Sequence, residues 1–137
     1  MSARTVRVGR SATGLGLFAV RAFARKAYIV TYRGRVISTE EADRRERHGA
    51  RYMFELNSRW TIDGSPRHNL GRYLNHSCRP NAEAVLRKRR IVFLALRAIA
   101  PGEEITYDYG KEYFDFFFKK AGCRCAACTA KAARRSR

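Results

Sequence analysis

Short runs in which apolar and polar residues alternate make up most of the chain, and glycine, proline or asparagine separates them. Alternation with a period of two is typical of β-strands. It predicts strands over residues 6–8, 13–19, 28–32, 52–56, 61–63, 82–86, 91–95 and 105–107. The runs 82–86 and 91–95 form a predicted hairpin, and its tip, residues 87–90, is entirely basic.

Residues 39–48 are the one stretch that predicts a helix. Ser38 or Thr39 can cap its N-terminus, and acidic residues in the first turn suit the positive end of the helix dipole. Gly49 is a typical C-terminal residue. Because strands dominate and no strand–helix–strand rhythm recurs, we predict a mainly β fold. A doubly wound nucleotide-binding fold is disfavoured for the same reason.

The length of 137 residues is that of about one domain. No apolar run reaches the roughly 20 residues that a membrane span needs. Residues 1–10 are not followed by the apolar core of a signal peptide, so we expect a cytoplasmic location and no membrane partner. The net charge of +17 favours contact with nucleic acid or acidic proteins, although a solvated basic surface explains it equally well.

The positions of the four cysteines predict more than their number does. Cys123, Cys125 and Cys128 form a cluster, whereas Cys78 stands alone. In a chain without a secretion signal, clustered cysteines are metal ligands more often than disulfide partners. Three thiolates in one loop can hold three corners of a zinc tetrahedron, and Cys78 is a candidate for the fourth.

Three further motifs suggest a ligand site. Gly14 and Gly16 would let a backbone approach a ligand closely, although a tight turn explains a lone Gly-x-Gly more often. Asn75 and His76 lie between an apolar pair and a Cys-Arg-Pro turn, and a bound polar ligand can supply the hydrogen bonds that they need when buried; a loop with a free cysteine is the competing interpretation. Tyr107 and Tyr109 are two residues apart on a predicted strand and would line a narrow slot with two phenols. For these two tyrosines, burial in the core is the competing interpretation.

Taken in order, these motifs resemble the SET-domain protein methyltransferases. The resemblance covers about residues 5–128 and rests on six motifs: Gly14-x-Gly16, Tyr32-x-Gly34, the strand 52–56, the run 72–78 (Arg-Tyr-Leu-Asn-His-Ser-Cys), the run 102–110 (Gly-Glu-Glu-Ile-Thr-Tyr-Asp-Tyr-Gly) and the terminal cysteines. It implies small curved sheets, one short helix and an active-site pseudoknot in which a terminal segment threads under a loop. Residues 1–110 would form the SET domain, and residues 111–137 would form a zinc-binding post-SET segment with a basic tail.

The resemblance also implies a role for each motif residue. The cofactor S-adenosylmethionine would be bound by Gly14, Leu15, Gly16, Leu17, Arg72, Tyr73, Asn75, His76 and Tyr109. Asn75 and His76 would direct their hydrogen bonds mainly to this ligand and to nearby backbone. Tyr109 would be the catalytic tyrosine, Tyr107 would set how many methyl groups fit, and Tyr52 would form another wall of the lysine channel. A structural zinc ion would be bound by Cys78, Cys123, Cys125 and Cys128.

Two features depart from the common family pattern. The family's usual post-SET spacing leaves four residues between the second and third cysteines, whereas Cys125 and Cys128 are separated by two. The insert over residues 38–51 is short, as in compact stand-alone forms of the family. The implied function is methylation of a lysine in a protein substrate, such as a histone or another DNA-associated protein. The competing interpretations are a basic zinc module that binds nucleic acid and an inactive SET domain used for protein contacts.

Overall fold

The structure, a computed structural model, describes residues 4–110 of the chain. The fold of these residues is mainly β, with a single α-helix, which confirms the predicted class. The strands are β1 (Val6–Ser11), β2 (Gly14–Ala19), β3 (Tyr28–Tyr32), β4 (Arg35–Ser38), β5 (Met53–Glu55), β6 (Trp60–Asp63), β7 (Asn75–His76), β8 (Ala82–Arg87), β9 (Arg90–Ala95) and β10 (Glu104–Tyr107). The helix is α1 (Thr39–Arg47), and a 3-10 helix spans Leu70–Tyr73.

The strands of the described residues form three small sheets with the orders β1-β2-β10-β7, β3-β9-β8 and β4-β6-β5. All pairings are antiparallel except β7 with β10, where Thr106 lies opposite Asn75 and Tyr107 lies opposite His76. Parallel strands need a long crossover. The β7–β10 pairing therefore brings the run 72–78 and the run 102–110 side by side, although they are distant in the sequence.

The core lies where the three sheets meet, and β9 is its central strand. Phe93 of β9, Leu17 of β2 and Ile105 of β10 are each 0% exposed. Residues 91–95 of β9 are all buried, which is why they form a continuous apolar run instead of an alternating one. The Phe93 ring contacts the Tyr107 ring with centroids 4.9 Å apart, so the core extends directly to the predicted active-site tyrosines.

Ser38 caps α1, because its hydroxyl accepts a hydrogen bond from the Glu41 backbone N–H at 3.1 Å. The helix ends at Arg47, one residue before the predicted end, and Gly49 follows with a φ of 95°. Ala42 packs the helix onto the β4-β6-β5 sheet, and Arg45 binds Asp63 of β6 at 2.7 Å. Among the described residues, no helix is long and apolar enough to span a membrane.

Two strands were missed by the sequence analysis. β4 (Arg35–Ser38) is exposed at three of its four positions, so it lacks the alternation that signals a strand. β7 consists of Asn75 and His76 alone, and it is a strand because it pairs with β10. The proposed boundary between a SET domain and a post-SET segment coincides with the end of the described residues, so residues 111–137 remain a prediction.

Candidate active site

The side chain of Asn75 connects β7 to three other strands, the consecutive pair β1 and β2 and the distant β10. Its Nδ2 donates to the Leu15 carbonyl at 2.9 Å and to the Glu104 carboxylate at 2.9 Å, and it lies 3.1 Å from the Ser11 hydroxyl. A carbonyl and a carboxylate are both acceptors, which fixes the nitrogen on this side of the amide. We expected these hydrogen bonds to go mainly to a ligand and to nearby backbone; the Leu15 carbonyl is such a backbone acceptor, and the contact with a ligand stays a prediction.

Gly14 and Gly16 are glycines for two different reasons. Gly14 has a φ of 125°, a conformation that L side chains rarely adopt, and the space where a Cβ would lie is open. A Cβ on Gly16 would lie 2.5 Å from the Glu104 carboxylate and 3.1 Å from Asn75 Nδ2. Gly16 therefore leaves room for the hydrogen-bonded Asn75–Glu104 pair. Gly14 allows the turn that places the exposed Leu15 beside this pair.

Asn81 is a positioning residue that we did not single out from the sequence. It is 3% exposed, and its side chain bridges β10: Nδ2 donates to the Glu104 carbonyl at 2.8 Å, and Oδ1 accepts from the Thr106 N–H at 2.9 Å. This clamp holds the loop after His76 against the strand that ends at Tyr107. Its sequence signal was a lone amide immediately after Pro80, before a strand.

His76 links the β7 strand to Tyr109. Its Nδ1 accepts a hydrogen bond from the Tyr109 backbone N–H at 3.1 Å, so the ring proton lies on Nε2, which is 3.4 Å from the Cys78 sulfur. Partial burial lowers the pKa of His76, and the nearby Asp108 carboxylate opposes this shift only in part. The neutral form of the ring is therefore the one that fits these contacts.

The two predicted tyrosines come together as expected. The rings of Tyr107 and Tyr109 lie 4.9 Å apart, and the Tyr109 hydroxyl donates to the Leu74 carbonyl at 2.6 Å. This bond places the phenol oxygen beside the backbone that leads into Asn75. The alternative that both tyrosines are buried core residues does not fit, because both are only partly buried. Tyr107 does pack on core rings, including Phe54 with centroids 6.3 Å apart.

Tyr52 is held in an uncommon backbone conformation by its neighbours. Its φ is 67°, which is costly for a residue with a Cβ and is often found at functional sites. The Tyr52 carbonyl accepts hydrogen bonds from the Tyr32 hydroxyl at 2.6 Å and from the Gly64 N–H at 2.8 Å. The Arg72 guanidinium lies 4.1 Å from the centre of the Tyr52 ring, so both ends of this residue are fixed.

Arg72 and Tyr73 were predicted to line the cofactor pocket together with Asn75. The described contacts of Arg72 are instead with Tyr52, with Tyr73 and with the Ser65 carbonyl. Its Nε is buried and has no hydrogen-bond partner among residues 4–110, and a bound ligand or water is the kind of group that satisfies such an atom. A cofactor-binding role for these two residues stays a prediction.

Of the four predicted zinc ligands, the structure describes Cys78, which is exposed. Cys123, Cys125 and Cys128 lie outside the described residues. Within residues 4–110, no group of three or more His, Cys, Asp or Glu side chains is arranged to hold a metal ion. The zinc site of Cys78 with the three C-terminal cysteines therefore stays a prediction.

Asn75→Ala is expected to reduce both ligand affinity and stability. The change removes the donor from the Glu104 carboxylate and the Leu15 carbonyl, and loss of such a partner costs about 1–3 kcal/mol. Urea denaturation and calorimetric titration with S-adenosylmethionine measure the two effects. Ser11→Ala is the matched control, because it removes the longest of the three contacts and should change either quantity little. Unchanged affinity in Asn75→Ala would contradict the assignment of Asn75 to the ligand site.

The family model and the similar proteins of known name point to the same family. The family model described as the SET domain matches residues 14–110. The chain is 34% identical to histone-lysine N-methyltransferase ASHH1 of Arabidopsis thaliana, over 93% of this chain and 28% of that protein. It is 36% identical to the H3 lysine-4 specific histone-lysine N-methyltransferase of Schizosaccharomyces pombe, over 85% of this chain and 14% of that protein. The chain thus spans less than a third of the length of these relatives.

A solved structure supports the same assignment. The structure superposes with a TM-score of 0.71 on a chain of the structure described as ctPRC2 in an autoinhibited conformation bound to S-adenosylmethionine. The sequence identity is 31%, and the match covers 80% of this chain and 15% of that chain. A second structure, Chaetomium thermophilum Polycomb Repressive Complex 2 bound to GSK126, gives a TM-score of 0.72 at 32% identity.

Proposed function

This chain belongs to the SET-domain family, and from that premise we propose that it is a protein-lysine N-methyltransferase that uses S-adenosylmethionine. The observation that carries the proposal is the junction of β7 with β10. There the paired rings of Tyr107 and Tyr109 lie directly beside Asn75 and His76. A nucleic-acid-binding module has no need for this arrangement, and an inactive SET domain has no need to retain all four side chains.

The residues around Asn75 fit a bound S-adenosylmethionine. Leu15 is exposed, the space beside Gly14 is open, and both lie at the end of the hydrogen-bonded Asn75–Glu104 pair. We propose that this edge of β2 and β7 holds the cofactor, with Tyr109 bordering it. When bound, S-adenosylmethionine supplies a methyl group on a positively charged sulfur, which a neutral amine can attack in line.

The aromatic residues of the site would prepare the lysine for this attack. Phe54, Phe93 and Tyr107 form a continuous ring cluster, so an amine that enters beside them loses hydration. Desolvation lowers the pKa of an amine and favours the neutral form, and the Arg72 charge over Tyr52 acts in the same direction. The Tyr109 oxygen, held by the Leu74 carbonyl, is placed to orient the reacting groups. No carboxylate is assigned as a general base.

Calorimetric titration with S-adenosylmethionine, followed by a methylation assay on core histones, tests the proposal. An enzyme binds the ligand and transfers methyl groups to lysine. An inactive SET domain binds it without transfer, and a nucleic-acid module does not bind it. The test uses the full chain, because residues 111–137 belong to the predicted zinc site.

We propose a structural zinc ion bound by Cys78, Cys123, Cys125 and Cys128. Metal binding requires the thiolate form of cysteine. The His76 Nε2–H, 3.4 Å from the Cys78 sulfur, can donate to that thiolate and supports the assignment of Cys78. The exposure of Cys78 leaves it accessible to the other three ligands.

Removal of zinc is expected to abolish S-adenosylmethionine binding while the strands of residues 4–110 remain folded. The reason is that metal binding and the folding of a small metal segment are coupled. Elemental analysis of untagged protein should give one zinc per chain, and treatment with a strong chelator followed by calorimetry should show the loss of affinity. Cys78→Ser should reproduce the effect. Four titratable thiols in a metal-free, fully active protein would contradict the site.

Charge and family support a proposal for the substrate and the location. We propose a lysine in a histone or another DNA-associated protein, reached in the cytoplasm at the nucleoid or at chromatin. The relatives above are named for histone lysine methylation. The net charge of +17 supports contact with the DNA that such a substrate carries.

A further inference from the structure

A second concave surface lies away from the candidate active site. It opens between the β4-β6-β5 sheet and the β8–β9 hairpin and has a volume of about 340 Å³. Its apolar lining is Val36, Leu56, Trp60 and Leu86. None of the residues that line it belongs to the site of Asn75, His76, Tyr107 and Tyr109. We call it the hairpin groove.

The apolar residues that line the hairpin groove are more exposed to solvent than the buried residues of the core. Val36 is 43% exposed, Trp60 is 42% exposed and Leu86 is 54% exposed. Scattered exposed apolar residues are ordinary, whereas a concave cluster of them marks a binding surface. A volume near 300 Å³ is at the small end of ligand pockets and suits one or two bulky side chains.

The polar rim of the groove carries a single sign of charge. The ionisable side chains among its described lining residues are Lys88 and Arg89, at the tip of the β8–β9 hairpin, and Arg87 and Arg90 flank them. An acidic group next to an apolar anchor would find complementary partners here. A basic segment such as a histone tail would be repelled.

The charged hairpin tip has a backbone conformation that favours glycine over a charged residue. Arg87 pairs with Arg90, so Lys88 and Arg89 form a two-residue turn. Lys88 has a φ of 50°, whereas Arg89 is not among the residues with positive φ. A hairpin turn with positive φ at its first central position favours glycine there. A lysine in this position costs stability, and residues kept at such a cost are often functional.

We infer that the hairpin groove binds a segment of a partner protein in which a bulky apolar residue is flanked by Asp or Glu. The apolar residue would enter the groove between Trp60 and Leu86, and the carboxylates would pair with Lys88 and Arg89. Nucleic acid fits less well. Its bases stack on flat aromatic faces, and three of the four apolar lining residues are aliphatic. The inference does not depend on the proposed methyltransferase activity.

Trp60 is the sole tryptophan of the chain, so intrinsic fluorescence reports directly on the groove. The probe is a short synthetic peptide with a central Leu-Phe pair and Glu residues on both sides. Titration should shift the Trp60 emission to shorter wavelength and saturate. We expect at least roughly tenfold weaker affinity for the same peptide with Lys in place of Glu, and a loss of affinity as salt is raised. A peptide with Ala-Ala at its centre should also bind weakly.

The variant that separates binding from folding is Lys88→Gly with Arg89→Ser. It restores the preferred turn, so the melting temperature should stay the same or rise, while affinity for the Glu peptide should fall by about tenfold or more. Leu86→Ser should weaken binding without charge change. Equal binding of the Glu and Lys peptides, full affinity in the double variant, or saturation by oligothymidine but not by the Glu peptide would each overturn the inference.

Discussion

Tyr109→Phe is expected to lower kcat by roughly 10²–10³-fold, the usual loss when one oriented polar group is removed from an active site. The change removes one oxygen atom, which the Leu74 carbonyl holds at 2.6 Å. Loss of that hydrogen bond alone costs only about 1 kcal/mol of stability, so the protein should remain folded. Tyr28→Phe is a matched control, because it removes the same atom from an exposed residue of β3.

Tyr107→Phe is the contrasting half of this prediction. The Tyr107 ring packs against Phe93 and Phe54, and phenylalanine keeps both contacts. Turnover should therefore persist. The hydroxyl takes up room in the proposed lysine channel, so the parent should add one or two methyl groups and the variant should add more. Mass spectrometry of a methylated substrate distinguishes the two tyrosines. Trimethylation by the parent, or equal damage from both substitutions, would mean that their roles are assigned wrongly.

The strands that alternate regularly could be predicted from the sequence, and so could the helix. Apolar and polar residues alternate at the start of β1, although burial in β1 and β8 does not follow a strict period of two, and Ser38 with the acidic first turn gives the helix its start. The short strand β7 could not be predicted, because nothing local distinguishes Asn75 and His76 from a loop. Their strand conformation comes from the partner β10, about 30 positions later in the chain.

The motif residues of the site were predictable, but most of their contacts were not. Tyr107 and Tyr109 could be placed together because residues two apart on a strand share a face, although β10 ends at Tyr107 and Tyr109 lies two residues beyond its end. The acceptors of Asn75 could not be predicted, since Leu15 and Ser11 lie 60 and 64 positions away in the sequence. Asn81 was missed for the same reason: its two partners are backbone groups of β10, and backbone groups leave no signal in a sequence.

Gly34 shows how the fold and the site depend on each other. It lies between β3 and β4, where the backbone of β6 passes closely. A Cβ at this position would lie 1.9 Å from the Asp63 carbonyl oxygen and 2.7 Å from the Asp63 carbonyl carbon. Both atoms are backbone, so rotation of a side chain cannot relieve the clash. Gly64, which follows Asp63 in the chain, donates its N–H to the Tyr52 carbonyl at 2.8 Å.

Gly34→Ala is therefore expected to lower the free energy of unfolding by about 3 kcal/mol or more, since overpacking against a fixed backbone is at the severe end of such changes. Gly49→Ala is the control: its φ is 95° and its Cβ would meet nothing within 4 Å, so only conformational strain of about 1–2 kcal/mol applies. Thermal unfolding followed by circular dichroism should show a melting temperature lower by roughly 10 °C for Gly34→Ala and a smaller shift for Gly49→Ala.

Movement of Asp63 also displaces Gly64 and with it Tyr52. Activity per folded molecule should consequently fall in Gly34→Ala and stay unchanged in Gly49→Ala. Equal stability of the two variants would show that β6 can move away from Gly34 without loss.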